Sequence, residues 1–184
     1  DIILVGEIRD EATANIAVQA ALTGHLVLST LHTNDAPGAI TRLLDLGVAP
    51  YLVSASLKGV LAQRLVRKIC PNCKTEHDPP ASLKRSVQTE SGELGKFYRG
   101  VGCKKCRNTG YAGRIAIHEL FVPDDTLIEM INDRVSTKAL RRAALACGMV
   151  PLHRDGIEKV KAGIVSIEEI LRSAGTDTQA SAEI

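Results

Sequence analysis

Apolar residues come in two rhythms at the start of the chain. Ile2, Ile3, Leu4 and Val5 stand together with no polar alternation, the pattern of a short strand covered on both faces of a parallel sheet. Gly6 closes the run, and Glu7, Arg9 and Asp10 follow at its carboxyl end, the edge at which open α/β sheets keep their ligands. The rhythm then turns helical. Asp10 is a favourable N-cap for an Ala-rich helix over 11–23, with apolar Ile16, Ala17, Ala20 and Ala21 and a stop at Gly24. A second apolar run over 25–31 ends in His32, Thr33 and Asn34. One βαβ crossover thus predicts an acid, Glu7, and a histidine, His32, at neighbouring strand ends.

Asp35 then caps a helix over 36–46, with Pro37 in its first turn and Ile40, Leu43 and Leu44 on one face. The next apolar positions, Leu52, Val53, Leu57, Val60, Leu61, Leu65 and Val66, predict a longer helix from about Pro50 to Arg67, its polar end made of Gln63, Arg64 and Arg67. Beyond the cysteines described below, 108–114 reads as a Gly-supplied turn and 115–121 as a strand. Four short helices follow, opened by Asp124 or Asp125, by Ser136, by Pro151, and by a capping box of Ser166 and Glu169. The small, polar stretch 175–184 reads as a disordered tail. In segments, the expectation is an α/β core over 1–69, a cysteine module over 70–113, a helical subdomain over 114–174 and that tail.

Composition narrows the possibilities. The 184 residues are 45% hydrophobic, enough to bury a core, and carry a net charge of only +2. With aromatics at 3% and no Trp, a base-stacking surface is poorly supported, so no nucleic-acid partner is expected. No apolar run is long enough to cross a bilayer and no signal peptide is evident, which points to a cytoplasmic location. The chain opens in mid-strand without Met, as a fragment of a longer protein would.

Two C-x-x-C knuckles, Cys70 with Cys73 and Cys103 with Cys106, present four thiolates that can close a tetrahedron around one Zn²⁺. Disulfides compete less well in a reducing compartment, and a rubredoxin-like iron centre would use the same ligands. Four protein ligands leave no open position, so the site reads as structural. His77 and His118 are the alternative ligands. The intervening stretch, with Asp78, Pro79 and Pro80 and then Ser91, Gly92 and Glu93, reads as an extended excursion, and Cys147 as a buried thiol.

The wording VGEIRD over 5–10 and TGHLVLSTLHTND over 23–35 resembles the Walker B and histidine boxes of the secretion-superfamily traffic ATPases, the motors of type II secretion and type IV pilus assembly. That resemblance implies a part of a RecA-like P-loop ATPase sheet, followed by a tetracysteine zinc module and a small helical bundle. It gives Glu7 the Walker B role, holding Mg²⁺ through water or polarising the attacking water. Gly6 stands where many P-loop proteins carry an aspartate, so the metal contact is indirect. His32 is the better placed for sensing a γ-phosphate, while His25 anchors the helix-to-strand corner or a subunit contact. Arg9, Thr33 and Asn34 share that edge, and the AQRLVR wording places Gln63, Arg64 and Arg67 near nucleotide or a neighbouring subunit. The phosphate cradle, G-x-x-x-x-G-K-[ST], occurs nowhere in these residues. The resemblance puts it upstream with a second acidic box, so this chain alone is expected to be inactive towards ATP and mainly monomeric. Secretion and pilus-extension motors carry the tetracysteine module and retraction motors lack it. The implied whole is a homo-hexamer bound to inner-membrane platform and assembly proteins. A second class of function stays open, a non-hydrolysing zinc adaptor docked on such a platform protein.

Overall fold

The computed structural model describes residues 1–88 and 95–174. The expected tail over 175–184 and the Ser91-Gly92-Glu93 part of the excursion lie outside the described residues. In order, the chain forms β1 (Ile2–Val5), α1 (Glu11–Leu22), β2 (Leu26–Ser29), α2 (Ala36–Asp45), α3 (Pro50–Ser56) and β3 (Val60–Ile69). It continues with β4 (Lys74–His77), α4 (Ala81–Gln88), β5 (Phe97–Gly100), a 3-10 turn (Lys104–Cys106) and β6 (Tyr111–Phe121), then α5 (Asp125–Asn132), α6 (Thr137–Ala146), α7 (Leu152–Lys161) and α8 (Ile167–Ala174). Two compact units result, residues 1–62 with 119–150, and 63–118 with 151–184. The segments expected from the sequence are therefore cut differently. Of the C-terminal helices, α5 and α6 belong to the first unit and α7 and α8 to the second, because each pair buries its apolar face in a different core.

In the first unit β1 and β2 run parallel, in register from Ile2 opposite Leu26 to Val5 opposite Ser29. The crossover helix α1 starts where Asp10 accepts a hydrogen bond from Thr13 N at 2.9 Å, a side-chain cap for an otherwise orphan donor. Val5 and Val27 pack on a core built around Val53, Ile40, Leu127, Ile131 and Phe121. The opposite face, with Ile2, Leu4, Leu26 and Leu28, is exposed, Leu4 to 78%. The expectation of strands covered on both faces is met on one side only. An apolar run reports that cover is needed without saying which element supplies it, and nothing among the described residues covers that face.

The long helix expected to reach Arg67 is also corrected. It stops at Ser56, and β3 begins at Val60. Gly59 breaks the helical run, and a Cβ there would sit 3.2 Å from the Phe121 carbonyl oxygen. β3 finds its partner in β6, far along the chain. Apolar spacing that fits both periods is settled by such remote pairing.

The second unit packs Val66 and Ile117 against Phe97, Leu152, Ile157, Val160, Ile167 and Ile170. Here the described residues between the cysteine pairs hold secondary structure. β4 and β5 pair antiparallel, Lys74 opposite Gly100 through His77 opposite Phe97, which carries the chain from one knuckle to the other. Glu169 departs from the expected capping box. Its backbone N–H does meet Ser166 Oγ at 3.4 Å, but its buried carboxylate accepts from Arg67 N, Nε and Nη2 at 3.1, 3.1 and 2.7 Å and from Arg172 Nε and Nη2 at 3.1 and 2.8 Å. Burial opposes its charge, yet the two guanidinium groups outweigh burial and hold the carboxyl at about 2.

That depression makes stability pH-dependent with a definite sign. A carboxylate whose folded value lies below its ordinary 4.5 stabilises fully above the ordinary value and loses that contribution as pH falls through the folded one. Comparing wild-type with Glu169→Gln by denaturant unfolding, the wild-type advantage should shrink by about 3 kcal/mol between pH 6 and pH 2. A gap that does not change with pH would show that the ion pairs contribute nothing through charge.

Candidate functional site

β1 ends at Val5 and β2 at Ser29, so the two chain segments leave the sheet side by side at the carboxyl edge. Cross-bonds keep them together. Thr30 Oγ1 donates to Gly6 O at 2.8 Å and Ile8 N to Thr30 O at 3.0 Å. Just beyond, His32 Nε2 lies 3.1 Å from Glu7 Oε2 and Arg9 Nε donates to the same oxygen at 2.5 Å. Facing an ionised carboxylate, Nε2 is the protonated nitrogen. The His32 hydrogen bond first, and Arg9 after it, hold the Glu7 carboxyl below its usual range against a modest desolvation. Both side chains remain open to solvent, His32 to 78% and Glu7 to 37%. An exposed carboxylate kept ionised at a sheet edge can bind the water shell of a hard cation or orient a water, and an adjacent imidazole N–H can meet a phosphoryl oxygen.

The structure brings some sequence candidates to this edge and places others elsewhere. Arg9 is on Glu7. Thr33 turns inward, donating to Asp35 O at 3.1 Å, and Asn34 is exposed on the same tip. His25 stands at the other end of β2, its Nδ1 3.2 Å from Ala20 O. Gln63, Arg64 and Arg67 are not on a helix end but on β3, in the second unit. There Arg64 donates to Ser173 O at 2.8 Å, and Arg67, on Glu169, lies 4.1 Å above the Tyr111 ring. Sequence reasoning missed Glu119 and Arg141, which bond to Ala36 N, Asp35 and each other at the far end of the His32 tip. The signal was an acid set among the apolar residues of 115–121, on a strand whose remaining core positions are hydrophobic.

The four cysteines converge within the second unit. Their sulfurs all lie within 4.8 Å of one another, with Cys70 to Cys103 at 3.9 Å, Cys73 to Cys106 at 3.9 Å and Cys103 to Cys106 at 3.7 Å. A tetrahedron with metal–sulfur bonds of about 2.3 Å has edges of about 3.8 Å, so the set fits one ion. A disulfide needs sulfurs about 2.05 Å apart, which none of these pairs approaches. Backbone amides are aimed at the sulfurs as a thiolate requires. Cys103 N and Gly110 N donate to Cys106 Sγ at 3.2 and 3.3 Å, and Asn72 Nδ2 to Cys103 Sγ at 3.3 Å. At Cys106 these bonds outweigh desolvation and bring the thiol down to about 6, whereas burial pushes Cys73 up to about 12. Close backbone contact makes the fit possible. A Cβ at Gly100 would fall 2.0 Å from Gly110 O, and Gly110 itself has φ +77°. His77, beside Glu168, and His118, whose backbone N–H donates to Asp155 Oδ2 at 2.8 Å, are outside the four-sulfur cluster. Cys147 is exposed rather than buried. It ends α6 as its C-cap residue, at the rim where side chains face water.

A family model described as "Type II/IV secretion system protein" matches residues 1–172. The type II secretion system ATPase E of Vibrio cholerae is 49% identical over 172 residues, covering 94% of this chain and 34% of that protein. The type IV pilus assembly ATPase PilB of Thermus thermophilus is 51% identical over 173 residues, covering 93% of this chain and 20% of that protein. The chain spans about a fifth to a third of the length of these curated relatives. Among solved structures, the pilus retraction motor PilT with bound ADP matches with a TM-score of 0.61 at 25% identity, over 100% of this chain and 40% of that one. The ATPase DotB of Legionella pneumophila, at 20% identity, shares the fold with a TM-score of 0.60 over 92% of this chain and 37% of that one. The α/β ATPase fold class expected from the sequence is thereby borne out.

The sulfur geometry makes a direct prediction. Purified under reducing conditions, the protein should carry one metal ion per chain by elemental analysis, with four sulfurs at about 2.3 Å by X-ray absorption. Cys103→Ser should lose the ion and loosen 70–110, leaving hydrogen exchange of β1 and β2 unchanged. Metal-free wild-type protein with the same fold would refute a structural ion.

Proposed function

We propose, for a chain that belongs to the type II/IV secretion system protein family, that its first unit carries the metal-side and γ-phosphate-side edge of an ATPase site. The observation that carries this reading is the Glu7–His32 pair, 3.1 Å apart at the ends of two parallel strands. Glu7, held ionised, would accept hydrogen bonds from water on Mg²⁺ or orient the attacking water, and His32 would meet the γ-phosphoryl oxygens. Arg9 keeps Glu7 charged. His25 serves the fold at the opposite end of β2. Thr33 and Asn34 shape the tip that presents His32. The phosphate cradle and the second acidic box come from residues outside this sequence.

In the whole protein the reading extends to a hexameric motor. It uses ATP hydrolysis to drive pilin or pseudopilin assembly, in type II secretion or type IV pilus extension, at the cytoplasmic face of an inner-membrane platform. Zn²⁺ is the ion proposed for Cys70, Cys73, Cys103 and Cys106, in a structural role, because a closed four-thiolate shell leaves no position for substrate. Gln63, Arg64 and Arg67 are proposed for a subunit surface or for the fold of the second unit rather than for the nucleotide. No helix among the described residues is long and apolar enough to cross a membrane.

The test is kinetic. In the full-length protein Glu7→Gln should lower kcat on the order of a hundredfold or more while ATP still binds, the mark of an interaction made in the transition state. Unaltered turnover would remove Glu7 from the site. A wild-type protein that binds its platform partner yet hydrolyses nothing would favour the adaptor. The 184-residue chain by itself should show no turnover, for want of a phosphate cradle.

A further inference from the structure

Residues 30–35 form neither helix nor strand, yet they present His32, whose ring is mostly in solvent. With the ring 78% exposed and held by its bond to Glu7, its position depends on how the backbone is held on either side. The near side is tied locally, by the Thr30 bonds to Gly6 and Ile8. The far side is tied from a distance. Ala36 N donates to Glu119 Oε1 at 2.9 Å, and Arg141 Nη1 lies 3.3 Å from both Glu119 Oε2 and Asp35 Oδ2. Asp35 Oδ1 in turn accepts from Gly38 N at 2.8 Å and caps α2.

Glu119 is 1% exposed. A buried carboxylate carries a desolvation cost that a well-packed apolar side chain would avoid, and α2 already has its cap in Asp35. What the Glu119–Arg141 pair adds is position. It joins β6 and α6 to the first residues of α2, which gives the His32 tip a fixed far end.

We infer that Glu119 and Arg141 are positioning residues, holding the 30–36 tip so that the His32 imidazole stays on Glu7. The inference rests on the reading of Glu7 and His32 as one edge of an ATPase site. Both meet the backbone and Asp35 at the far end of the tip, so their effect on turnover should pass through His32.

Hydrogen exchange with mass spectrometry on the full-length protein reads the tip directly. Glu119→Gln preserves shape and an acceptor for Ala36 N but cancels the charge pair, and Arg141→Gln cancels it from the other side. Each should raise exchange over 30–36 several-fold while α1 stays protected. Steady-state turnover gives the second readout. Glu119→Gln should lower kcat about tenfold, with KM for ATP within about twofold. In a His32→Ala background the same change should lower kcat no further, because contributions made through one group do not add. A role in general stability alone would lower kcat equally in both backgrounds. Equal losses there, or unchanged exchange over 30–36 in both variants, would overturn the inference. Should Glu119→Gln fail to fold, Arg141→Gln carries both readouts, its side chain being partly exposed. Wild-type protein without turnover would defeat the ATPase reading, while the exchange comparison still decides the positioning.

Discussion

The parallel register of β1 against β2 is the constraint on which the candidate site depends. With Val5 opposite Ser29, Gly6 and Thr30 leave the sheet together and can bond one another, and only then do Glu7 and His32 meet, one and two residues further on. In a strand pair the side-chain period is two, so a slip of one residue would turn the apolar set to the wrong face and separate the acid from the imidazole. The hydrophobic demand of Ile3, Val5 and Val27 thus sets the geometry of two polar residues that contribute nothing to the core. Burial decides register, and register decides chemistry.

Three glutamates show how environment assigns role. Glu169 and Glu119 are buried and fully engaged by arginines and backbone N–H groups, so their charge is spent within the protein and they serve to fasten one segment to another. Glu7 is partly open and shares a single oxygen with its two neighbours. Its partners keep it ionised without enclosing it, which is what a group meant to meet water or a hydrated cation requires. Arg67 makes the same point from the other side. Its sequence wording suggested a place near nucleotide or a neighbouring subunit; in the folded unit its Nε and Nη2 both donate to Glu169 Oε2 and the guanidinium lies over the Tyr111 ring.

What could be read from the sequence was whatever local chemistry determines. Asp10, Asp35, Asp124 and Ser136 each cap a helix as their position suggested, and the βαβ order placed Glu7 beside His32. The paired C-x-x-C spacing likewise identified four sulfurs that converge. Distant partners were illegible. Nothing in 50–69 announces that β6 will claim its second half as a strand, because Val60, Leu61 and Leu65 satisfy a helical period as well. For the same reason, Glu119 and Glu169 read as an ordinary strand residue and a capping residue. Arg141 and Arg67, the partners that fasten them to other segments, stand 22 and 102 residues away, beyond any local window, and of Glu169's two arginines only Arg172 is near in sequence. The division into two units was hidden likewise, since it depends on which core each helix pair buries.

The metal site follows from the limits of the same physics. β4 and β5 form a ladder of only four pairs, and a two-stranded ribbon of that size is marginal in water. At its end the buried cluster consists of Cys70, Cys73 and Cys106, with Cys103 packed against them, so little apolar surface is available to hold the knuckles together. The chain between the knuckles must nevertheless close a loop over 74–102, at an entropic cost set by its length. Amides directed at Cys106, and the glycine contact that lets backbone approach backbone at Gly100 and Gly110, prepare a cradle for negative sulfur. An ion bound there would supply that cohesion, because its binding free energy becomes folding free energy. The first unit, with its continuous apolar core, has no such need, and Glu7 and His32 stay at its surface, open to solvent.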